Sequence, residues 1–310
     1  MITFDKLKLV ANIEAIDILD EDRFQMQIES GRKVALKFFQ EVPFLLMIKV
    51  DYLEQEVVVE FCGKVLGKDY PKLISADTIR TCFDNINDMG FCHIDVEAMM
   101  DADVVKADVT KDVRGIETEH LTKYLGSHIS NYKLYVTRNI RNGNLVIEKN
   151  VISRKTKKRM TIYDKAKEMD KAKNRSFVEV YQLQNAFDNT SRFELNLNSK
   201  EQVRDALHLT DNRLKNVLTS TASPIREFVE KVIEPASSPV PLSDKKSYLT
   251  NLVLKDCDYD LEKVEAKMRE FYPPRGTNFK KLMEPYRTMM YQMTNDENVN
   301  FYTDLLERLT

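Results

Sequence analysis

The residues with the most chemical potential surround a tyrosine in the middle of the chain. Tyr163 is followed by Lys165 and Glu168 and preceded by a basic run: Arg154, Lys155, Lys157, Lys158 and Arg159. A tyrosine oxygen can attack a phosphodiester and form a phosphotyrosine link, but a phenol with a pKa near 10 needs a nearby cation or base. Lys165 is the first candidate for that cation. The spacing therefore predicts phosphoryl-transfer chemistry centred on Tyr163 and Lys165.

The basic run is the predicted contact with a phosphate backbone. Eleven Lys or Arg residues fall between Lys149 and Arg175, although the whole chain has a formal net charge of -2. Cationic side chains bind nucleic acid by neutralising phosphates and releasing counterions. An ordinary solvated loop is the alternative. We expect the five residues of the run, together with Arg192, to bind DNA.

Three carboxylates are the predicted ligands of a divalent metal, Mg²⁺ or Mn²⁺: Asp108, Glu168 and Glu194. Phosphoryl-transfer sites hold these ions with a few oxygen ligands from neighbouring elements. Asp112 ranks second, because a straight strand places it roughly 13 Å from Asp108 at about 3.3 Å per residue.

Four short stretches with period-two alternation must position these side chains: Val105 to Asp112, Lys133 to Thr137, Met160 to Lys165 and Arg192 to Asn198. Successive side chains of a strand point to opposite faces. In the last stretch Phe193, Leu195 and Leu197 would face a core, and the polar residues would face the other way. The pattern predicts a sheet with one polar face, on which Arg159, Thr161, Tyr163 and Lys165 alternate.

The remaining pattern predicts an α+β protein with a mainly antiparallel central sheet, helices on the face opposite the polar one, and a small all-helical C-terminal unit. Residues 1–65 form a strand-rich part of a domain that extends to 235. The Pro- and Ser-rich residues 236–244 indicate a linker, and residues 245–310 the helical domain. Asn142-Gly143 indicates a hairpin turn. Helices are predicted from Ser75 and over residues 117–125, 200–208, 211–233, 247–254, 261–271, 278–293 and 298–309.

Composition excludes several classes of protein. No apolar run approaches the about 20 residues of a membrane helix, and the first residues lack a signal-peptide pattern. The four cysteines have neither zinc-site nor disulfide spacing, which favours the reducing cytoplasm. No His-x-His pair and no Gly-rich phosphate loop occurs, so neither a two-histidine rolling-circle site nor ATP hydrolysis is predicted.

Three segments, KADVTKDV, ISRKTKKRMTIYDKAKEM and RFELNLNSKEQV, occur in this order. They resemble motifs of the replication initiators of phages and rolling-circle plasmids that lack the two-histidine motif, the group of the filamentous-phage and staphylococcal-plasmid initiators. The resemblance spans roughly residues 60–235. It implies a nickase and ligase that cuts one origin strand through a tyrosine, uses a divalent metal and leaves a free 3′ hydroxyl. A host helicase and a second copy of the chain are implied partners.

The chain departs from the family in the strand before the basic segment. Many relatives carry a tyrosine there, whereas this chain has LVIEKNV. Tyr135 and Tyr181 therefore remain rival nucleophiles. Two other functions stay open: a DNA-binding protein without cleavage activity, and a relaxase that mobilises a plasmid or transposon.

Overall fold

The structure is a computed structural model that describes residues 2–129, 135–140, 143–151, 153, 157–233, 245–257, 259–272 and 277–310. Its strands are β1 Phe4–Asn12, β2 Ile16–Ile18, β3 Gln25–Glu29, β4 Arg32–Gln40, β5 Leu46–Asp51, β6 Glu56–Cys62, β7 Cys92–Ile94, β8 Asp103–Arg114, β9 Tyr135–Ile140, β10 Asn144–Lys149, β11 Arg159–Asp164 and β12 Thr190–Leu197. Its α-helices are α1 Ile79–Asn87, α2 Val96–Met100, α3 Thr118–Ser127, α4 Lys165–Met169, α5 Ala172–Tyr181, α6 Lys200–Leu207, α7 Leu214–Leu218, α8 Pro224–Val232, α9 Lys245–Asp256, α10 Leu261–Phe271 and α11 Thr277–Arg308. Short 3₁₀ helices cover Ile13–Ala15 and Glu21–Arg23, and a kinked one covers Gly63–Lys72.

Ten of the strands form one antiparallel sheet in the order β3-β4-β5-β6-β1-β8-β12-β11-β10-β9, and β2 pairs with β7 separately. The predicted α+β class with a mainly antiparallel sheet is confirmed. The first strand does not pair only within the strand-rich part, residues 1–65. It lies between β6 and β8 and joins the two halves of the sheet.

The alternation predicted for the strands appears in their burial. Phe193, Leu195 and Leu197 of β12 are buried on one face, where the side chains of β6 and β1 are also apolar. Helices α3 and α8 pack on this apolar face: Thr118 contacts Ser191, and Phe228 contacts the ring of Tyr135. The opposite face carries the polar residues.

Several predicted element boundaries differ from the structure. The β11 strand ends at Asp164, whose side chain accepts a hydrogen bond from the Lys167 backbone and caps α4. Lys165 is therefore helical, and the prediction that it continues the strand alternation is wrong. The helix predicted over 211–233 is two helices, α7 and α8, separated by a Thr- and Ser-rich turn before Pro224. The two C-terminal helices predicted over 278–293 and 298–309 are one helix, α11, because no Gly or Pro separates them.

The chain forms two compact units, one of residues 1–232 with 309–310 and one of residues 233–308. The second unit is helical and has its own core, formed by Leu254, Cys257, Val264, Met283 and Met289. The predicted linker, 236–244, and the predicted turn residue Asn142 lie outside the described residues. Of the helices in the described part of the chain, none has the length and apolar character that crossing a membrane requires.

Candidate functional site

The polar face of the sheet is organised in rungs, each formed by residues directly opposite one another on β8, β12 and β11. The antiparallel register places the three rungs in succession along these strands: Asp108, Asn196 and Arg159; Thr110, Glu194 and Thr161; Asp112, Arg192 and Tyr163. Directly opposed residues on neighbouring strands have their side chains on the same face. The register therefore brings together residues that the sequence places 80 to 88 positions apart on β8 and β12, and 29 to 37 positions apart on β11 and β12.

Arg192 is the centre of the third rung and has no exposed surface. Its guanidinium donates to both carboxylate oxygens of Asp112, at 2.7 and 2.8 Å, and through Nη1 to Asp5 Oδ1 at 2.9 Å. The same Nη1 lies 3.0 Å from the hydroxyl of Tyr70. A planar guanidinium held by a bidentate pair and a second carboxylate has little freedom to rotate. Arg192 thus fixes the geometry of the whole cluster.

Asp5 reaches this cluster because β1 contains a β-bulge. Phe4 pairs with Val109 and Lys6 with Asp108, so two residues of β1 oppose one step of β8 at this point. A bulge re-aims a side chain relative to the normal alternation. Burial disfavours the charged form of Asp5, but the positive charges of Lys165 and Arg192 outweigh it and hold the pKa of Asp5 below its ordinary value. Asp5 is therefore a carboxylate.

The Gly63–Lys72 segment and helices α4 and α5 cover this end of the polar face. Tyr70 packs with Met169, Phe177, Leu183 and Phe187 in an apolar cluster. The Arg192 guanidinium lies 5.4 Å from the Tyr70 ring and 5.6 Å from the Phe187 ring. Helices thus lie over part of the polar face as well as over the apolar one, and they bury the charges that the alternation pattern exposes to solvent.

Lys165 enters the cluster from the first turn of α4, not from the strand. Its ammonium donates to the Tyr70 hydroxyl at 2.6 Å, and the residue is 3% exposed. Burial is the largest cause that lowers the pKa of Lys165, to about 8, and repulsion from the positive charge of Arg192 is the second. The ammonium lies 5.6 Å from the ring centroid of Tyr163, but its hydrogen bond goes to Tyr70, and the pKa of Tyr163 is raised where the sequence predicted that Lys165 would lower it.

Tyr163 and Glu194 form the pair with the clearest chemical meaning. The Tyr163 hydroxyl donates to Glu194 Oε1 at 2.5 Å. Burial raises the pKa of Glu194 to about 7, with the negative charge of Asp5 adding to the effect. The pKa of Tyr163 is raised well above its ordinary value, mainly by burial and secondly by the negative charge of Glu194. A weakly acidic hydroxyl bonded to a carboxyl that titrates near neutrality is the arrangement of a nucleophile and its general base.

Tyr163 is 9% exposed and lines a pocket of about 540 Å³. The other lining residues include Glu119, Asn144, Glu168, and the two lysines Lys167 and Lys171. Asp164 lines it as well, and the two lysines pair with Asp164 and Glu168, so the pocket has no excess of positive charge.

The three predicted metal ligands do not form a common group. Asp108 accepts a hydrogen bond from the Asn196 amide at 2.7 Å, and burial raises its pKa. Glu194 is bonded to Tyr163, and Glu168 pairs with Lys171 and, at 3.6 Å, with Lys173. No group of three potential ligands from His, Cys, Asp and Glu occurs within the described ranges. The donor set as placed does not fit a single Mg²⁺ or Mn²⁺ ion.

The predicted DNA-binding residues divide into three groups. Arg154 and Lys155 lie outside the described residues. Lys157 pairs with Glu148 at 3.3 Å, Lys158 is half-buried, and Arg159 is half-buried with a buried Nε that has no hydrogen-bond partner within the described chain. Arg192 is sealed inside its ion pairs, so it holds the cluster together and has no surface to offer a DNA backbone.

The two rival tyrosines occupy different places. Tyr135 lies on the apolar face of the sheet, where its ring is 5.6 Å from that of Phe228, and burial raises its pKa. Tyr181 is half-buried at the end of α5 and packs against Phe177 and the backbone at Gly67. Of the three tyrosines, Tyr163 alone has a carboxylate bonded to its hydroxyl in the described structure.

Sequence reasoning missed Asp5 and Tyr70. Neither belongs to a polar-faced stretch, because the bulge hides Asp5 from the alternation and Tyr70 lies in a 3₁₀ segment. The only local signal was the position of Asp5 within an otherwise alternating first strand, FDKLKL.

Comparisons with known proteins identify no relative of this chain. No protein-family profile matches the chain, and no match was found among curated proteins or solved structures.

Proposed function

We propose that this chain is a cytoplasmic replication initiation protein that nicks one strand of DNA at an origin through a covalent phosphotyrosine and so starts rolling-circle replication. The observation that supports it best is the 2.5 Å hydrogen bond from Tyr163 to Glu194, beside the buried cations Lys165 and Arg192. Tyr70 also donates to a carboxylate, Asp5 at 2.9 Å, but Tyr163 differs in that its partner Glu194 has a pKa of about 7. The resemblance to initiators that lack the two-histidine motif, which rests on segments containing these same residues, also supports this chemistry.

In the proposed step the Tyr163 oxygen attacks the phosphorus atom while Glu194 accepts the phenolic proton. The P–O3′ bond breaks, and the 3′ oxygen takes up a proton and leaves as a free hydroxyl for a polymerase. Lys165 stabilises the negative charge that develops at the phosphate. Rejoining reverses these steps and conserves the phosphodiester.

A divalent metal, Mg²⁺ or Mn²⁺, is part of the proposal because the family chemistry implies it. Since Asp108, Glu168 and Glu194 are not grouped, no step is assigned to the ion. A host helicase and a second copy of the chain are the proposed partners.

Strand cleavage is tested with purified full-length protein and supercoiled DNA that carries the chain's own genetic locus, in Mn²⁺, Mg²⁺ or EDTA. Tyr163→Phe is compared with Tyr135→Phe and Tyr181→Phe as matched controls. We expect metal-dependent nicking with DNA attached to the protein, lost in Tyr163→Phe and kept in both controls. Loss of the adduct in a control variant instead would transfer the nucleophile to that tyrosine.

The second candidate is a DNA-binding protein that does not cleave. It is favoured by one observation: Arg192 is fully enclosed by Asp5, Asp112 and Tyr70, as expected of a structural ion-pair cluster. This function predicts tight, salt-sensitive binding without a nick or an adduct in any of the three metal conditions.

A further inference from the structure

Two pairs of lysines lie directly opposite each other on the polar face, one on β4 and β5 and the other on β1 and β8. Lys37 of β4 opposes Lys49 of β5, and Lys8 of β1 opposes Lys106 of β8. The alternation places all four side chains on one face, the face that also carries Tyr163.

Like charges directly opposite on neighbouring strands destabilise a sheet. One lysine of each pair is neutralised within the chain: Lys49 by Asp51 at 2.8 Å, and Lys8 by Glu60 at 3.2 Å. The other two, Lys37 and Lys106, are exposed, and in the described part of the chain neither has an ion-pair partner. Each pair therefore leaves one positive charge without a partner among the described residues, Lys37 on β4 and Lys106 on β8. A bound polyanion would compensate both charges.

A large aromatic ring lies on the same surface. Phe39 is two residues from Lys37 on β4, opposes Met47, and is 58% exposed. An exposed aromatic ring among cations is the combination with which proteins bind single-stranded nucleic acid, because bases stack on the ring and the cations follow the phosphates. An acidic polypeptide would use the lysines but would leave the ring without a planar partner.

We propose that this surface, formed by Lys37, Phe39 and Lys106, binds a single strand of DNA, with Phe39 stacked on a base and the two lysines at phosphates. The inference rests on the proposed function, for which it identifies where the substrate strand is held outside the cleavage site. At about 4.8 Å per strand spacing, β4 lies roughly 29 Å from β11, the strand of Tyr163. Phe39 is thus a positioning residue that takes no part in the reaction.

The test measures binding of a fluorescently labelled oligothymidylate to full-length protein by anisotropy, over a range of salt concentrations. Phe39→Ala removes the stacking surface, and we expect about 5- to 100-fold weaker binding. Lys37→Ala combined with Lys106→Ala should reduce the slope of log K against log salt by about 1.4, since each phosphate contact to a single strand contributes about 0.7. Matched controls are Phe271→Ala, an exposed aromatic residue of the second unit, and Lys123→Ala combined with Lys255→Ala.

The outcomes separate this inference from the proposed function. Binding that is unchanged in Phe39→Ala and in the lysine pair, while the wild type binds and nicks DNA, overturns the inference alone. A wild type that nicks its own supercoiled DNA but binds no oligonucleotide also overturns the inference alone, whereas a wild type that neither binds nor nicks DNA overturns both. Poly-glutamate is run in parallel, and binding of it in place of the oligonucleotide, with loss in the lysine variant only, assigns the surface to an acidic polypeptide and overturns the inference.

Discussion

At the scale of single residues, the site is a set of buried charges that hold one another in place. Arg192 compensates both Asp5 and Asp112, and beside it burial lowers the pKa of Lys165 to about 8 and raises the pKa of Glu194 to about 7. Removing one partner from a buried ion pair leaves an uncompensated buried charge, so such a substitution is strongly destabilising. The burial that raises the pKa of Glu194 also lowers the stability of the fold when Glu194 ionises.

Glu194→Gln should separate the effect of Glu194 on stability from its proposed effect on adduct formation. The folded-state pKa of Glu194, about 7, is higher than its ordinary value of 4.5. Folding therefore favours the neutral form, and stability is lost as pH rises from about 4.5 through 7. A permanently neutral Gln avoids that loss, so we expect the variant to be more stable than the wild type at pH 8 by about 1–3 kcal/mol, and equal to it at pH 4. Urea unfolding at the two pH values measures the difference.

The same substitution should abolish adduct formation, because Gln cannot accept the proton of Tyr163. For the wild type we expect the nicking rate to rise through pH 7, as Glu194 ionises, and to fall above pH 8, as Lys165 loses its charge. Glu60→Gln is the matched control: its ion pairs with Lys6 and Lys8 lower the pKa of Glu60 in spite of burial, so this substitution should not stabilise the protein at pH 8. A Glu194→Gln variant that still forms the adduct would remove Glu194 from the role of base.

At the scale of elements, three local irregularities deliver residues to the site. The β1 bulge aims Asp5, the capped start of α4 aims Lys165, and the Gly63–Lys72 segment carries Tyr70 over the face. That segment bends at Gly67, which has a φ of +58°, a region that side chains rarely adopt. A Cβ at this position would lie 2.5 Å from the ring of Tyr181.

Gly67→Ala should therefore lower the free energy of unfolding by about 2–4 kcal/mol, from backbone strain together with the clash against the Tyr181 ring. Gly90→Ala is the matched control, since Gly90 has a φ of +78° and open space around it. Gly90→Ala should lower the free energy of unfolding by backbone strain alone, about 1–2 kcal/mol. Equal effects of the two substitutions in urea unfolding would contradict a tight approach of Tyr181 to the backbone.

At the scale of the whole molecule, two units each have a core of their own. Val59 is fully buried in the sheet unit and Val264 in the helical unit. A unit with its own core can open without the other. The proposed site and the proposed DNA surface both belong to the sheet unit.

Val264→Ala should destabilise the helical unit by about 1–3 kcal/mol and leave the sheet unit unchanged, because it creates a cavity in one core only. Val59→Ala, the matched variant, should do the reverse. Amide hydrogen exchange reports both, as faster exchange in 245–308 for the first variant and in β1, β5 and β6 for the second. Equal loss of protection in both units in either variant would mean that they unfold as one.

The sequence by itself determined which residues share a face of the sheet, because a period of two is a local property of the backbone. It also identified Tyr163, Lys165 and Glu194, although it assigned Lys165 to the strand and Glu194 to a metal. Only the tertiary structure decided that β1 lies between β6 and β8, that Asp5 meets Arg192 across 187 residues of sequence, and that Tyr70 covers them. Pairings between distant strands depend on the packing of the whole core, and no periodicity within a short window encodes them.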